Sequence, residues 1–302
     1  MALTLALDWT PNTNHTGFFV AQELGYYAAH GVAVEIGHPG QDDYAITPAK
    51  KVASGQADFA VAPFESVISL NTKANPVNAV AIAALLQRDI SSIATLASSG
   101  ITRPRELDGS TYASYQARYE DAIVRQLIRN DGGRGDLTIT YPAKLGIWNT
   151  LLTNTAAATW IFDNWEGLEA ETQHLALTTF ALADYNIPYA YSPVIFSTKE
   201  NIAANTADYQ AFLAATKQGF QFAQANPAQA AAILTNYLPE RDAQLIDVAR
   251  SQAYVNPFYG AGATWGKMES SRITAFLTWL IEHKLESETI LTHTLYTNEL
   301  LD

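Results

Sequence analysis

Short apolar runs alternate with stretches of helical periodicity along the first half of the chain, and this rhythm narrows the fold more than any other sequence feature. Residues 3–7 form an apolar run that ends at Asp8. Residues 16–27 then place Phe19, Val20, Leu24 and Tyr27 at helical spacing, closed by Gly25-Tyr26-Tyr27 and Gly31, and residues 32–36 alternate as a second strand. Residues 47–54 read as a helix stopped by Gly55, 57–62 as a strand, 66–71 as the start of a helix, and 77–86 as a fourth, almost wholly apolar strand. Strands that alternate with helices pair mainly in parallel, and runs this apolar are covered on both faces. The predicted class is α/β.

The rhythm begins again near residue 93. Strands are predicted over 93–96, 110–114, 137–141 and 157–162, and helices over 119–129 and 147–154. A turn falls at Arg103-Pro104, a break at Gly132-Gly133 and a short helix near Trp165. Residues 175–198 read as extended, punctuated by Pro188 and Pro193. Helices follow over 207–226, 227–238, 240–254 and 270–283; the first aligns Tyr209, Phe212, Leu213, Thr216, Phe220 and Ala223 on one face. A chain of 302 residues with 48% hydrophobic content exceeds one compact core. No Gly/Ser linker divides the two series, so two α/β lobes joined by strands are expected.

Composition excludes several classes of function. With 18 basic against 30 acidic residues the formal charge is −12, which repels a phosphate backbone and an anionic membrane, so nucleic acid is not an expected partner. The chain has no cysteine, which excludes disulfides, thiolate metal sites, iron–sulfur clusters and Cys nucleophiles. It carries no G-x-S-x-G elbow, H-E-x-x-H pair or Walker A loop, and its 6 His are scattered, with His30 and His38 near turns. No catalytic residue, metal or cofactor is expected, an unrecognised hydrolase assembled from distant positions being the enzymatic alternative. No apolar run is long enough to span a membrane, and the N-terminus does not read as a signal peptide. A strand directly after Met1-Ala2 fits a mature domain whose export segment was removed.

The string Leu7-Asp8-Trp9-Thr10-Pro11-Asn12-Thr13-Asn14-His15-Thr16-Gly17, with Ala21-Gln22-Glu23-Leu24-Gly25-Tyr26-Tyr27, resembles the NMT1/THI5-like family of periplasmic-type binding proteins, most closely its formylaminopyrimidine-binding branch. The likeness runs through residues 53–59, Trp160-Ile161-Phe162, Trp165-Glu166-Gly167 and residues 189–194, ending near Trp265-Gly266 and Trp279-Leu280. It implies a periplasmic-binding-protein-like fold of type II, with a discontinuous lobe over 1–88 and 192–302, a second over 89–191, and crossovers near 86–92 and 183–192. It also implies an extracytoplasmic, monomeric component of an ABC importer, periplasmic or lipid-anchored, with a membrane permease as partner. The implied ligand is a thiamin-related pyrimidine, N-formyl-4-amino-5-aminomethyl-2-methylpyrimidine or a close analogue.

An aminopyrimidine offers a π-face, ring-nitrogen acceptors and an exocyclic amine donor, so its pocket needs stacking aromatics and convergent polar groups including a carboxylate. Asp8 and Trp9 stand at the carboxyl end of a strand, where open α/β sheets bind ligands; their plain alternatives are helix cap and core aromatic. Asn12 and His15 follow on the loop, His15 equally suited to a structural role. Glu65 heads the helix after strand 57–62, as a ligand carboxylate or a helix N-terminal charge. Tyr112, Ser114 and Tyr115 follow a strand where relatives often carry a Gly-rich turn that holds anions by backbone amides. Tyr115-Gln116-Ala117-Arg118-Tyr119 replaces that turn, which fits a ligand without phosphate.

Trp160, Asp163 and Trp165 cluster at another strand end. Trp160 or Asp163 is expected on the ligand, with core packing the alternative for Trp160 and helix-start packing the reading for Trp165 and Glu166. Tyr189 and Tyr191 flank Ala190 in an extended segment, so both point to one face, either bracketing the ring or packing at the hinge. The eukaryotic pyrimidine-synthase branch of the family uses a Lys-bound pyridoxal phosphate, a consumed His and a Cys-rich iron-binding motif. Ala62, Ser66 and residues 187–192 stand in those places here. Sulfonate, taurine and nitrate receptors share the architecture but need anion grips, for which Arg118 is the one obvious candidate in the inferred cleft.

Overall fold

A computed structural model of the protein describes residues 2–260 and 262–301. Its strands are β1 (Leu3–Ala6), β2 (Val34–Gly37), β3 (Phe59–Ala62), β4 (Ala79–Ala84), β5 (Ser91–Leu96), β6 (Ser110–Ala113), β7 (Leu137–Thr140), β8 (Ala158–Phe162), β9 (Leu177–Ala181) and β10 (Val194–Thr198). They form two five-stranded sheets, ordered β2-β1-β3-β10-β4 and β7-β6-β8-β5-β9. In the first, β1 pairs in parallel with β2 and β3, while β10 runs antiparallel to β3 and β4. In the second, β6 pairs in parallel with β7 and β8, while β5 runs antiparallel to β8 and β9. Each sheet thus holds one reversed strand, and that strand is the one entered directly from the other lobe. The chain crosses between the sheets twice, from β4 to β5 and from β9 to β10.

The apolar strands are covered on both faces, as their composition requires. On β3, Phe59 and Val61 face a core that contains Phe18, Phe212, Phe220 and Trp265. Ala60 and Ala62 face another that contains Val67, Ile68, Phe276 and Leu280 and continues through Ile187, Tyr189 and Tyr191 toward Tyr112 and Ile123. One core therefore runs through the second crossover, tying the lobes by packing as well as by chain.

Three predicted elements divide. Residues 16–27 form helices Thr16–Glu23 and Tyr26–Ala29, because Gly25 adopts φ 72 between them. Residues 240–254 form Glu240–Leu245 and Val248–Val255, because Asp247 turns out of the helix and caps the second through the Arg250 N–H. Residues 175–198 are extended only in β9 and β10. A 3-10 turn over Leu182–Tyr185 and an unpaired segment lie between.

The helix Thr16–Glu23, which follows the Asp8–His15 loop, is seated against helix Thr206–Ala225 by two glycines. A Cβ on Gly219 would stand 2.0 Å from the Gly17 carbonyl oxygen, and one on Gly17 would stand 2.1 Å from the Phe220 ring. Backbone cannot yield as a side chain can. Gly219→Ala is therefore expected to cost about 1–3 kcal/mol, read as a lower urea midpoint at unchanged m-value. An unshifted midpoint would mean that these helices separate freely.

Candidate ligand-binding cleft

A cavity of about 470 Å³ opens between the sheets, a size suited to a small ring compound. Its wall is drawn from the carboxyl ends of four strands: Asp8 and Trp9 after β1, Glu65 and Ser66 after β3, Tyr115 and Gln116 after β6, and Trp165 and Glu166 after β8. These strands hold equivalent places in the two sheet orders. Parallel strands with a common direction bring their carboxyl ends, and the loops that leave them, to one edge of the sheet.

Aromatic rings from both lobes meet here. Trp9 stands edge-on to Tyr115 with centroids 5.7 Å apart and lies 6.1 Å from Tyr44. Trp160 packs 5.4 Å from Tyr189, which rests against Phe276. The Lys144 ammonium sits 4.8 Å from the Tyr44 ring centroid, and burial lowers its pKa.

Of the predicted site residues, Asp8, Trp9, Asn12, Glu65, Tyr115, Trp160 and Tyr189 line the cavity. His15 does not. It is fully buried, its Nδ1 accepts the Asn12 N–H at 3.3 Å, and its Nε2 lies 2.7 Å from Asp8 Oδ1. With Nδ1 an acceptor, the proton is on Nε2 and is donated to Asp8. His15 thus sets the Asp8 carboxylate in place from behind. Asn12 caps the 3-10 turn Thr13–His15 by accepting the Asn14 N–H, so its side chain shapes the loop.

Tyr112 and Ser114 are also behind the wall. Both are buried, the Tyr112 hydroxyl donates to Glu120 at 2.8 Å, and Ser114 Oγ accepts the Gln116 N–H. Glu120, at the start of helix Glu120–Asn130, accepts in addition the N–H groups of Tyr115 and Ala117. The turn that could hold an external anion by its amides therefore holds a carboxylate of its own chain.

Asp163 and Tyr191 turn away from the cavity. Asp163 accepts from Ser92 at 3.1 Å, and burial pushes its pKa up to about 6. Tyr191 is buried under the Arg272 guanidinium, 4.1 Å from the ring centroid, and its hydroxyl accepts the Glu269 N–H. Tyr189 lines the cavity and Tyr191 does not, although both belong to one buried cluster; this stretch pairs with no strand, and the Tyr189 N–H bonds back to Ile187 at 2.9 Å. An irregular backbone has no period of two.

Sequence reasoning missed Tyr44, Lys144 and the Glu120 carboxylate, and assigned Trp165 and Glu166 to packing, although both line the cavity. Glu120 and Glu166 each open a helix that follows a strand of the second sheet. The rule that picked Glu65 would have found them. The cavity wall also carries Lys50, Lys73 and Lys144 besides Arg118, more cations than the one anticipated. Burial pushes Glu166 up to about 7.

Bonds across the cleft hold the lobes together. Asn164 Nδ2 donates to Thr13 and Asn14 at 2.8 and 2.9 Å, and its carbonyl accepts from Ser251. Arg241 pairs with Glu169 at 2.5 Å, and Arg118 with Glu286 at 2.6 Å.

The sequence profile described as NMT1/THI5 like matches residues 12–230. The chain belongs to the NMT1/THI5-like family. This family member is 23% identical over 283 residues to the formylaminopyrimidine-binding protein of Halalkalibacterium halodurans, covering 92% of the chain and 84% of the relative. It is 24% identical over 242 residues to the 4-amino-5-hydroxymethyl-2-methylpyrimidine phosphate synthase of Legionella pneumophila, covering 79% and 74%. Its fold matches the ligand-binding component of an ABC-type import system from Staphylococcus aureus with a TM-score of 0.73 at 15% identity, covering 100% of this chain and 98% of that one. The fold is the periplasmic-binding-protein type, α/β in two lobes. Among the described residues no His, Cys, Asp and Glu group could hold a metal ion, and no helix is long and apolar enough to cross a membrane.

Removing the Glu120 carboxylate leaves a buried donor from Tyr112 and half-buried donors from Tyr115 and Ala117 without that partner. Glu120→Ala is expected to cost at least about 2 kcal/mol in chemical denaturation, whereas Glu120→Gln, which keeps one acceptor oxygen, costs less. Equal stability of both variants and the native chain would sink this account of the turn.

Proposed function

We propose that this NMT1/THI5-like protein is the substrate-binding component of an ABC importer and closes on a thiamin-related aminopyrimidine, N-formyl-4-amino-5-aminomethyl-2-methylpyrimidine or a close analogue. One observation carries the reading: the cleft brings aromatic rings and carboxylates from equivalent strand ends of both lobes around a cavity of about 470 Å³, while the amides of Tyr115 and Ala117 are already spent on Glu120. Rings suit the π-face, carboxylates suit an exocyclic amine, and an internally satisfied turn has little left for an anion.

On this reading Trp9, Tyr115, Trp160 and Tyr189 frame the ring, and Asp8, steadied by His15, meets a polar group of the ligand. The binding role, rather than synthesis, is supported by Ala62 and Ser66, which line the cavity where the pyrimidine synthases of the family use Lys and His. The lobes are taken as 1–88 with 192–302 and 89–191, the protein as extracytoplasmic, and a membrane permease as its partner. Ligand contacts from both lobes favour the closed state that such a permease would read.

Calorimetric titration with the formylated, deformylated and hydroxymethyl pyrimidines and with thiamin, taurine serving as control, tests the ligand class. Trp9→Ala is expected to weaken pyrimidine binding at least about tenfold, or 1.4 kcal/mol, with the melting temperature preserved. An unchanged affinity in that variant would remove Trp9 from the pocket.

A further inference from the structure

Among the described residues that line the cavity, Glu65 is the one with a buried polar side-chain atom that has no hydrogen-bond partner. It sits in the first turn of helix Phe64–Thr72, directly after β3, is only 4% exposed, and lines the cavity. Its Oε2 is buried with no hydrogen-bond partner among the described residues. Glu120 from helix Glu120–Asn130 and Tyr189 from the second crossover line the same cavity, and Glu120 acts on Glu65 by charge repulsion. The other charged groups of the wall are Asp8, Lys50, Lys73, Arg118, Lys144 and Glu166, of which Arg118 is held by Glu286.

The two neighbouring carboxyl groups are not equivalent. Burial pushes the Glu120 pKa up as well, but hydrogen bonds from Tyr112, Tyr115 and Ala117 oppose that shift by stabilising its negative charge. Glu65 receives none at Oε2. Burial first, and Glu120 second, push the Glu65 carboxyl up to about 8.

We propose that Glu65 binds as a neutral carboxyl, its O–H donating to a ring nitrogen of the pyrimidine and its C=O accepting from the adjacent exocyclic amine. A carboxylate can only accept, so it could satisfy the amine but not the ring nitrogen. A protonated carboxyl presents donor and acceptor side by side, the complement of an N=C–NH2 edge. This would make Glu65 the group that selects 4-aminopyrimidines over rings lacking the amine, since a buried polar group left unpaired discriminates strongly. The inference rests on the reading of the cleft as an aminopyrimidine site.

The test is calorimetry from about pH 7 to 9.5 with the 4-amino-2-methylpyrimidine ligand and its analogue bearing hydrogen in place of the amine, on the native protein, Glu65→Gln and Glu65→Leu. Native affinity should be level below about pH 8 and then fall by about tenfold per unit, because the ionised carboxyl has no hydrogen to donate. Glu65→Gln, whose amide keeps donor and acceptor but does not titrate, should bind within about fivefold of native at pH 7 and lose the fall. Its persistence in that variant would assign it to another group such as Glu166 and overturn the inference. The native protein should prefer the amine-bearing ligand at least about tenfold, and Glu65→Leu should lose that preference. Tight native binding with a level pH profile, or equal losses in Gln and Leu variants that melt as the native protein does, would sink the role of Glu65 alone. No binding of the aminopyrimidine at any pH would overturn the reading of the cleft, and this inference with it.

Discussion

Each sheet of this protein is completed by a strand delivered from the opposite lobe, and the rest of the structure depends on that exchange. β10 enters between β3 and β4, and β5 between β8 and β9, both against the direction of their neighbours. Without β10, the central strand β3 and the edge strand β4 would lose their shared partner and expose unpaired backbone groups, a cost that burial does not tolerate. The crossings therefore cannot be loosened without opening the sheets. They leave the remaining strands running one way in each lobe, with their carboxyl ends turned to a common cleft.

That cleft concentrates polar groups, several of them buried. Asp8 is bonded to His15, Glu120 is enclosed by backbone amides and a phenol, and the Phe162 N–H donates to Glu166. Glu65 has no such support at Oε2. Carboxyl groups removed from water without donors are expensive to keep charged, so they take up protons or await a ligand that supplies donors. Rigid support of some groups beside the unsatisfied state of another is what a binding site needs: a fixed frame with one open demand.

Much of the architecture was legible in the sequence because it is a periodic property. The apolar strands, the helices between them and the restart of the rhythm near residue 93 all follow from spacing alone. The misreadings occur where the chain leaves regular structure. Asp247 divides a helix whose apolar spacing looks continuous, and a 3-10 turn over Leu182–Tyr185 interrupts a stretch read as extended throughout. In the site, strand-end position located Asp8, Trp9, Glu65 and Tyr115 on the wall. It could not separate Tyr112, Ser114 and Asp163, which lie within a few residues but point into the protein.

By itself the sequence determined the class of fold, the alternation that creates strand ends, and the family. Only the tertiary structure decided which of those strand ends face the same space, that His15 stands behind Asp8, that Tyr44 and Lys144 join the wall, and that Glu120 occupies the turn where an anion could have sat. The division has a physical cause. Periodicity and residue type are set by contacts between near neighbours in the chain, whereas a cavity and the charge states within it are set by groups far apart in sequence that share one small volume out of water.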